Sequence, residues 1–521
     1  MTKTTNRAVP LALLTLGFAG IAVFVIATAR GIGITTDSTA YIWAARSLSQ
    51  SQGLSCGLSA SGELLPMIHY PPLFPAILGI LAYTGIDPLH GARWLNAFLF
   101  GANILLVGLV VWHHTRSRWI SILGSFIMLT STLMLGLHTV AKTEPLFFFF
   151  ILLGWLLLAA HAANPNRTLL LLTSIVAGLA FLARFPGLAL VATGIVSMMF
   201  WNKRPVRQRV ADSAVFVAIS CLPMALWLAR NLQVSGQATT VQLAFHPVTL
   251  HHLDSGLTDI SDWLLPASVP TKIRMIVFLV AIGALLGAGA VLWFRKRKLH
   301  ESRSLREDLG DISCILAAFG LFYGLFVTAA ISFGYADIPL NDRNLSPLFI
   351  SGLLLVLCLG HRLLYSTEGL LVPKLGAAAI GIALAISYLV GEATWVAHTR
   401  KEGQGFTGRA WQQSEVVEAV RELPPDTPIF TNAVGAIYIL TGKAAREVPA
   451  AVVLATGRPN PAYRSELADV EVELRNKGGA LVYFRDEDNV PYPPSERELK
   501  GRLPLELLSS SRGGSVYTVA R

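Results

Sequence analysis

Charge is what this sequence has least of. Only 14% of its residues are Asp, Glu, Lys or Arg, against about 25% in soluble domains. With 53% hydrophobic residues and a mean hydropathy of +0.55, that scarcity excludes a soluble globular chain. Repeated apolar runs of about twenty residues point instead to a polytopic membrane protein. Cysteine is sparse too: Cys56, Cys221, Cys314 and Cys358 are scattered and imply neither a disulfide framework nor a zinc site. Acids are outnumbered, 32 against 42 Lys and Arg, for a formal charge of +10. The excess does not indicate a nucleic-acid partner. It sits in alternate short connections: Arg116 and Arg118; Lys203, Arg204, Arg207 and Arg209; Arg295, Lys296, Arg297 and Lys298 with Arg303 and Arg306. This is the positive-inside pattern that orients membrane spans. No internal repeat is evident, and no Gly-rich phosphate loop opens a helix near the C-terminus.

Spans are expected at about Val9–Ala29, Trp94–Trp112, Trp119–Leu137, Leu146–Ala162, Leu169–Leu182, Leu188–Trp201, Ala214–Leu228, Ile273–Phe294, Ile312–Phe333, Leu345–Leu363 and Leu371–Val390. That makes about eleven crossings. The first follows Lys3 and Arg7, as a signal peptide would. It is too long and lacks a small-residue cleavage site, so it reads as a retained span. With the N-terminus inside, every basic connection named above is cytoplasmic. The fold class expected is an α-helical polytopic membrane protein, residues 1–393, with its first outer loop at 31–92. A soluble extracytoplasmic α/β domain follows at 394–521. There, helical spacing at Gln412–Leu423, 432–440 and 462–476 alternates with short strands at Ile429–Thr431, Ala480–Phe484 and Val516–Val519. This module reads as a lid or acceptor platform rather than a catalytic core.

The polar stretch from Gly33 to Pro75 is the longest ordered-looking outer segment. Its first half has helical spacing, with Tyr41, Ala45 and Leu48 on one stripe. Thr36 and Asp37 fall where an N-cap belongs. In its second half Pro71, Pro72 and Pro75 are expected to stop any helix before Phe74 re-enters the bilayer. The short outer turns also carry charge: Lys142 and Glu144, Arg184, then Asp337, Asp342 and Arg343. Ionisable groups at membrane depth are costly and tend to line a cavity.

Glycosyl transfer from a phosphate-linked donor needs a carboxylate beside the attacking hydroxyl. It also needs cations on the departing phosphate. Asp37 suits the first role, or is an N-cap. Glu144 is a second carboxylate, or a favourable first-turn acid beside Pro145. Lys142 and Arg184 are phosphate counter-charges, although Arg184 also fits an interfacial snorkelling position. Arg343 can hold a phosphate bidentately or pair with Asp342. His69, with His251, His252, Asp254, Asp259 and Asp262, makes a divalent metal possible, without ligand spacing that would specify a site. No cofactor is otherwise indicated.

The pattern Asp37-Ser-Thr-Ala-Tyr41, then His69-Tyr70-Pro71-Pro72-Leu73-Phe74-Pro75, then Arg93-Trp94-Leu95-Asn96, resembles the membrane-embedded GT-C glycosyltransferases. It is most similar to the bacterial protein O-mannosyltransferase and aminoarabinose-transferase group. Thr143-Glu144-Pro145-Leu146 and Asp342-Arg343-Asn344-Leu345-Ser346-Pro347 resemble two further motifs of that group. The resemblance implies an inverting transferase with a polyprenyl-phosphate sugar donor and a lipid, glycan or protein acceptor outside the cytoplasm. It makes Asp37 the catalytic base, with Glu144 as the second acid. It puts Tyr70 with Arg343, Lys142 and Arg184 at the donor phosphate, and Tyr41, His69 and Arg93 at the substrate. Ser38 stands where many members have a second acid, and Tyr70 where many have a lysine. Localisation in a bacterial inner membrane, with the site facing the periplasm or exterior, follows from the same resemblance. A lipid-linked-sugar flippase and a polymerase or ligase using diphosphate-linked glycans are the rival readings.

Overall fold

The computed structural model describes residues 5–519 other than 60–61, 202–203, 242, 266–268, 281, 284–286, 288–310, 335–337, 367–370, 454–457 and 486–493. Half of the expected span at 273–294 lies outside the described residues. So do the basic run at 295–306, Lys3, Lys203 and Asp337.

The chain begins with α1, Thr5–Ala27, and α2, Thr36–Ser49. A small hairpin of β1, Ser55–Leu58, and β2, Leu64–Pro66, follows, then α3, Leu73–Tyr83. Next come α4, Pro88–Thr115; α5, Arg118–Thr130; α6, Thr132–His138; and α7, Glu144–Ala163. They are followed by α8, Arg167–Ala183; α9, Leu188–Phe200; α10, Val206–Ser235; and α11, Leu250–Asp262. Helices Asp311–Phe333, Asp342–Ser366 and Leu371–Glu402 complete the helical part. Among the described residues six helices are long and apolar enough to cross a membrane, or seven if α5 and α6, bent by 59° at Ser131, form one span. α8 and α9 are shorter apolar helices joined by a 3-10 turn at Phe185–Gly187.

α7 is the hub. Phe147, Phe148, Ile151, Leu152, Trp155 and Leu158 are all fully buried, so the helix is apolar all round because protein surrounds it. α1 lies at the edge and crosses α4 closely. A Cβ at Gly17 would lie 2.9 Å from the Gly101 carbonyl oxygen, and one at Gly101 would lie 2.8 Å from that of Gly17. Small residues are what permit helix backbones to approach so near in lipid.

The prolines of the first outer loop act differently from the sequence expectation. They start a helix instead of preventing one: Pro72 is the N-cap of α3 and Pro75 sits in its first turn. A missing N–H costs nothing there, because first-turn amides have no intrahelical acceptor. Phe74 is buried within the protein.

The C-terminal module is built on a mixed five-stranded sheet in the order β4-β3-β7-β9-β8. Its strands are β3, Ile429–Thr431; β4, Arg446–Glu447; β7, Ala480–Phe484; β8, Leu505–Ser511; and β9, Gly514–Val519. A separate two-stranded pair joins β5, Val452–Val453, to β6, Arg458–Pro459. β3 runs parallel to β4 and β7, whereas β9 is antiparallel to both its neighbours. Helix Tyr463–Lys477 buries Leu467, Val470 and Leu474 in the same core as Leu481 and Tyr517. The helix expected over Gln412–Leu423 is divided into Arg409–Gln412 and Glu415–Glu422, with Ser414 as an extended N-cap between them. Serine favours such a position over a helix interior.

Candidate active site

Residues 32–34 form the middle ply of a three-layered backbone clasp. On one side Gly33 N donates to Thr139 O at 2.8 Å, and Ala141 N donates to Gly33 O at 2.9 Å. On the other, Phe406 N donates to Ile34 O at 2.8 Å and the Thr407 hydroxyl donates to Ile32 O at 2.7 Å. Gly405 has φ +54, and a Cβ there would lie 2.0 Å from Ile34 O. Only glycine fits that contact. Buried Asn96 donates to the carbonyls of His138 and Val140, and buried Asn103 donates to that of Pro145. These bonds fix the turn that leads into α7. Asp37, in the first turn of α2, is thereby set beside Lys142 and Glu144.

Asp37 is not the N-cap of α2. Thr35 occupies that place, with Asp37 in the first turn. Its carboxylate looks inward: Oδ1 accepts from the Tyr70 hydroxyl at 2.7 Å, and Oδ2 pairs with Arg343 Nη1 at 2.6 Å. The same arginine donates through Nε to Glu144 Oε1, which also pairs with Arg184. Arg184 Nη1 lies 3.3 Å from the Thr143 hydroxyl. Arg343 does not pair with Asp342. That acid accepts from Trp263 Nε1 at 3.1 Å, and its own backbone amide donates to Asp259 at 2.9 Å. Residues from the first outer loop, the α6–α7 turn, the end of α8 and the start of helix Asp342–Ser366 therefore meet in one cluster.

Glu144 is 1% exposed, whereas Asp37 and Arg343 keep about a quarter of their side-chain surface, at 25% and 28%. Glu144 Oε2 is buried without a hydrogen-bond partner. Among the described residues Lys142 makes no ion pair. Burial alone would raise the Asp37 carboxyl, but the charges of Arg343 and Lys142 and the bonds from Tyr70 and Arg343 outweigh it. The group is held below its ordinary 3.8. Burial, reinforced by Arg343, lowers the Lys142 ammonium against the pull of Glu144 and Asp37. Burial and the nearby Asp37 charge push the Tyr70 hydroxyl up, so it remains a donor. The arrangement offers an ionised carboxylate, a fixed hydroxyl donor and a cation-rich floor to a phosphate ester.

Of the other expected site residues, Tyr41 is buried with its ring edge-on to Tyr70, centroids 4.8 Å apart. His69 lies edge-on to Tyr70 at 4.4 Å and meets the Thr240 hydroxyl through Nδ1. Burial lowers its imidazole in spite of Asp37. Arg93 is not brought to this cluster. It donates to the Thr28 hydroxyl at 3.0 Å and to Val25 O at 3.3 Å, holding the end of α1. Among the described residues no three His, Cys, Asp or Glu side chains gather as metal ligands. His252 caps α11 at Thr249, Asp262 pairs with Arg274, and Asp259 holds Asp342. Asn96, Asn103 and Thr143, with the 404–407 segment, are contributors that spacing alone does not reveal. Asn96 stands in a quoted motif, but its carbonyl partners are distant in sequence.

The family described as dolichyl-phosphate-mannose-protein mannosyltransferase matches residues 58–233, a stretch holding Tyr70, Lys142, Glu144 and Arg184 but neither Asp37 nor Arg343. No curated protein matches the sequence. Among solved structures, ArnT from Cupriavidus metallidurans bound to undecaprenyl phosphate is 13% identical, with 99% of this chain and 98% of that one covered at a TM-score of 0.52. The oligosaccharyltransferase of Archaeoglobus fulgidus, in complex with zinc and sulfate, is 11% identical, covering 97% and 73% at a TM-score of 0.55. The helical part and the C-terminal module are both included in these matches.

Proposed function

We propose that this chain, which has the GT-C fold of membrane glycosyltransferases, moves a sugar from a polyprenyl-phosphate donor to an acceptor outside the cytoplasm. The observation that carries the reading is the single cluster made by Asp37, Glu144 and Arg343, with 306 residues separating its first and last members. A structural ion pair needs two partners. Here two acids share one arginine, a second arginine and an unpaired lysine stand alongside, and Asp37 retains access to solvent.

The acceptor hydroxyl attacks C1 from the face opposite the phosphate, and its proton passes to Asp37. As the C1–O bond breaks, the electron pair leaves with the polyprenyl phosphate, whose growing charge is met by Arg343, Lys142 and Arg184. Inversion at C1 follows. A phosphate competing for Arg343 would also free Asp37 Oδ2 for the incoming hydroxyl. Tyr70 keeps Oδ1 oriented throughout. Tyr41 supports the Tyr70 ring, and His69 packs on its other side, near the sugar. Arg93, held at the end of α1, takes no part.

The acceptor side is read as the periplasm or exterior of a bacterial inner membrane. The basic connections Arg116–Arg118 and Arg204–Arg209 lie at the opposite ends of α4, α5, α9 and α10 from the cluster, in keeping with positive-inside orientation. A flippase would place its charges near the bilayer midplane, whereas these lie at helix ends. The test is transfer from a polyprenyl-monophosphate sugar by purified protein, run beside the diphosphate-linked counterpart. Monophosphate turnover that disappears in Asp37→Asn is expected. Undiminished turnover in that variant, or turnover of the diphosphate alone, refutes the proposal.

A further inference from the structure

Beside the clasp, against Ile32 and Thr407, lies a cavity of about 580 Å³ at the seam between the helical part and the C-terminal module. Arg30, His90, Arg93, Thr407, Gln412 and Arg421 supply its polar lining, and none of its lining residues is acidic. It shares no residue with the Asp37 cluster.

Its arginines are incompletely engaged. Arg30 gives only Nε, to the Lys401 carbonyl, leaving both terminal nitrogens. Arg93 gives Nε and Nη2 to Thr28 and Val25, leaving Nη1. Arg421 has a carboxylate partner, Glu418 at 2.7 Å, and gives Nη2 to the Leu440 carbonyl at 3.1 Å, leaving Nε. Asp87, just before α4, is already taken by Arg46 at 3.0 Å and by the Leu89 amide at 2.9 Å. Three guanidiniums and an imidazole around one cavity, without a carboxylate in its wall, make an anion site. Guanidinium donors suit the oxygens of a phosphate.

Its level in the membrane points to the source of that phosphate. The cavity lies at the outer ends of α1 and α4, just above Trp94 and Phe98, which are 46% and 61% exposed. Exposed aromatic residues at a helix end mark the headgroup boundary. Basic pockets between spans hold anionic lipid heads at the cytoplasmic face, and the same guanidinium chemistry serves at the outer one. We infer that this seam is a second phosphate site, separate from the donor site, that binds the headgroup of an anionic lipid of the outer leaflet and so ties the C-terminal module to the membrane surface.

The test uses the full chain. Retention of dioleoyl-phosphatidylglycerol and dioleoyl-phosphatidylcholine is measured by native mass spectrometry for the unaltered protein and for Arg30→Gln/Arg421→Gln. Each arginine near a headgroup contributes about fivefold in affinity, so the double change should weaken phosphatidylglycerol binding roughly twenty-five-fold and leave phosphatidylcholine unaffected. Inorganic phosphate forms the second arm. Displacement of the lipid by phosphate in the unaltered protein confirms headgroup recognition. Protection by phosphate without any phosphatidylglycerol retention keeps the anion site and assigns it to a soluble phosphate. Equal lipid retention by a folded double variant, or no binding of either probe, overturns the inference. If the double variant does not fold, the surface change Arg421→Gln alone decides, and unchanged retention there counts against the site. Asp37→Asn should bind phosphatidylglycerol normally, so failure of this site and failure of the transferase reading are separable.

Discussion

Ion pairs in the two halves of this molecule have similar chemistry and different settings. In the C-terminal module three of them run along helix surfaces, Arg421 with Glu418, Arg475 with Glu471 and Arg502 with Glu498, each three or four residues apart and mostly in water, beside the longer-range pairs Arg446–Glu473 and Arg485–Glu496. In the helical part Asp37, Glu144, Arg184 and Arg343 come from four distant segments, and Glu144 is sealed from solvent. Surface pairs of the first kind contribute about 0.3–0.5 kcal/mol. Buried pairs of the second kind are a costly way to gain stability, since desolvation offsets the attraction. A chain that keeps such a cluster at one end of its bundle has a use for charge there beyond folding.

Asp37→Asn should break the contrast most visibly. Transfer is expected to fall by about 10²–10⁴-fold, the usual contribution of a general base, in protein that still folds in micelles with a smaller loss of stability than Arg343→Gln shows. If the variant folds and transfers at the unaltered rate, the cluster is structural. Gly405→Ala should follow. Its Cβ would meet Ile34 O at 2.0 Å, so the strand before Asp37 must shift, and transfer should drop strongly although no charge has changed. Arg343→Gln should lose transfer and also about 1.5–3 kcal/mol of stability, because charge-assisted bonds to two acids are lost. In the module, Arg475→Ala should cost no more than about 0.5 kcal/mol.

The pH dependence sharpens the same comparison. The folded Asp37 carboxyl lies below its ordinary value of 3.8. Its contribution to stability is therefore complete above that value and disappears as pH falls through the lower, folded one. The acid limb of the transfer rate should accordingly lie below pH 4. Lys142→Met, which removes one of the charges that depress Asp37, should move that limb upward. A limb unmoved by the substitution would show that Lys142 does not act on Asp37.

Much of the fold was legible because lipid imposes a simple grammar. Long apolar runs became α1, α4, α7, α10 and the helices starting at Asp311 and Asp342, with ends displaced by up to eight residues, as at Val206 in α10. The bend at Ser131 was not legible, because periodicity runs through it unchanged. Neither was β8, where Leu507 and Leu508 break alternation on an edge strand. For the site, residue types and outer positions singled out Asp37, Glu144 and Arg343. Their partners were another matter. The sequence offered the adjacent Asp342 as a partner for Arg343, but Trp263 and Asp259 bond to Asp342 and Arg343 turns to Asp37, 306 residues away. Arg93, a basic residue beside a motif, lies outside the cluster and holds the end of α1.

The clasp around Ile32–Ile34 has a consequence for how the protein matures. Its outermost layer, at Thr407, is synthesised 375 residues after the backbone it binds. Every span that carries a member of the ionic cluster will have been threaded into the bilayer before that layer leaves the ribosome. A nascent chain thus holds every member of the cluster before it has the backbone layer that sets Ile32–Ile34 in place.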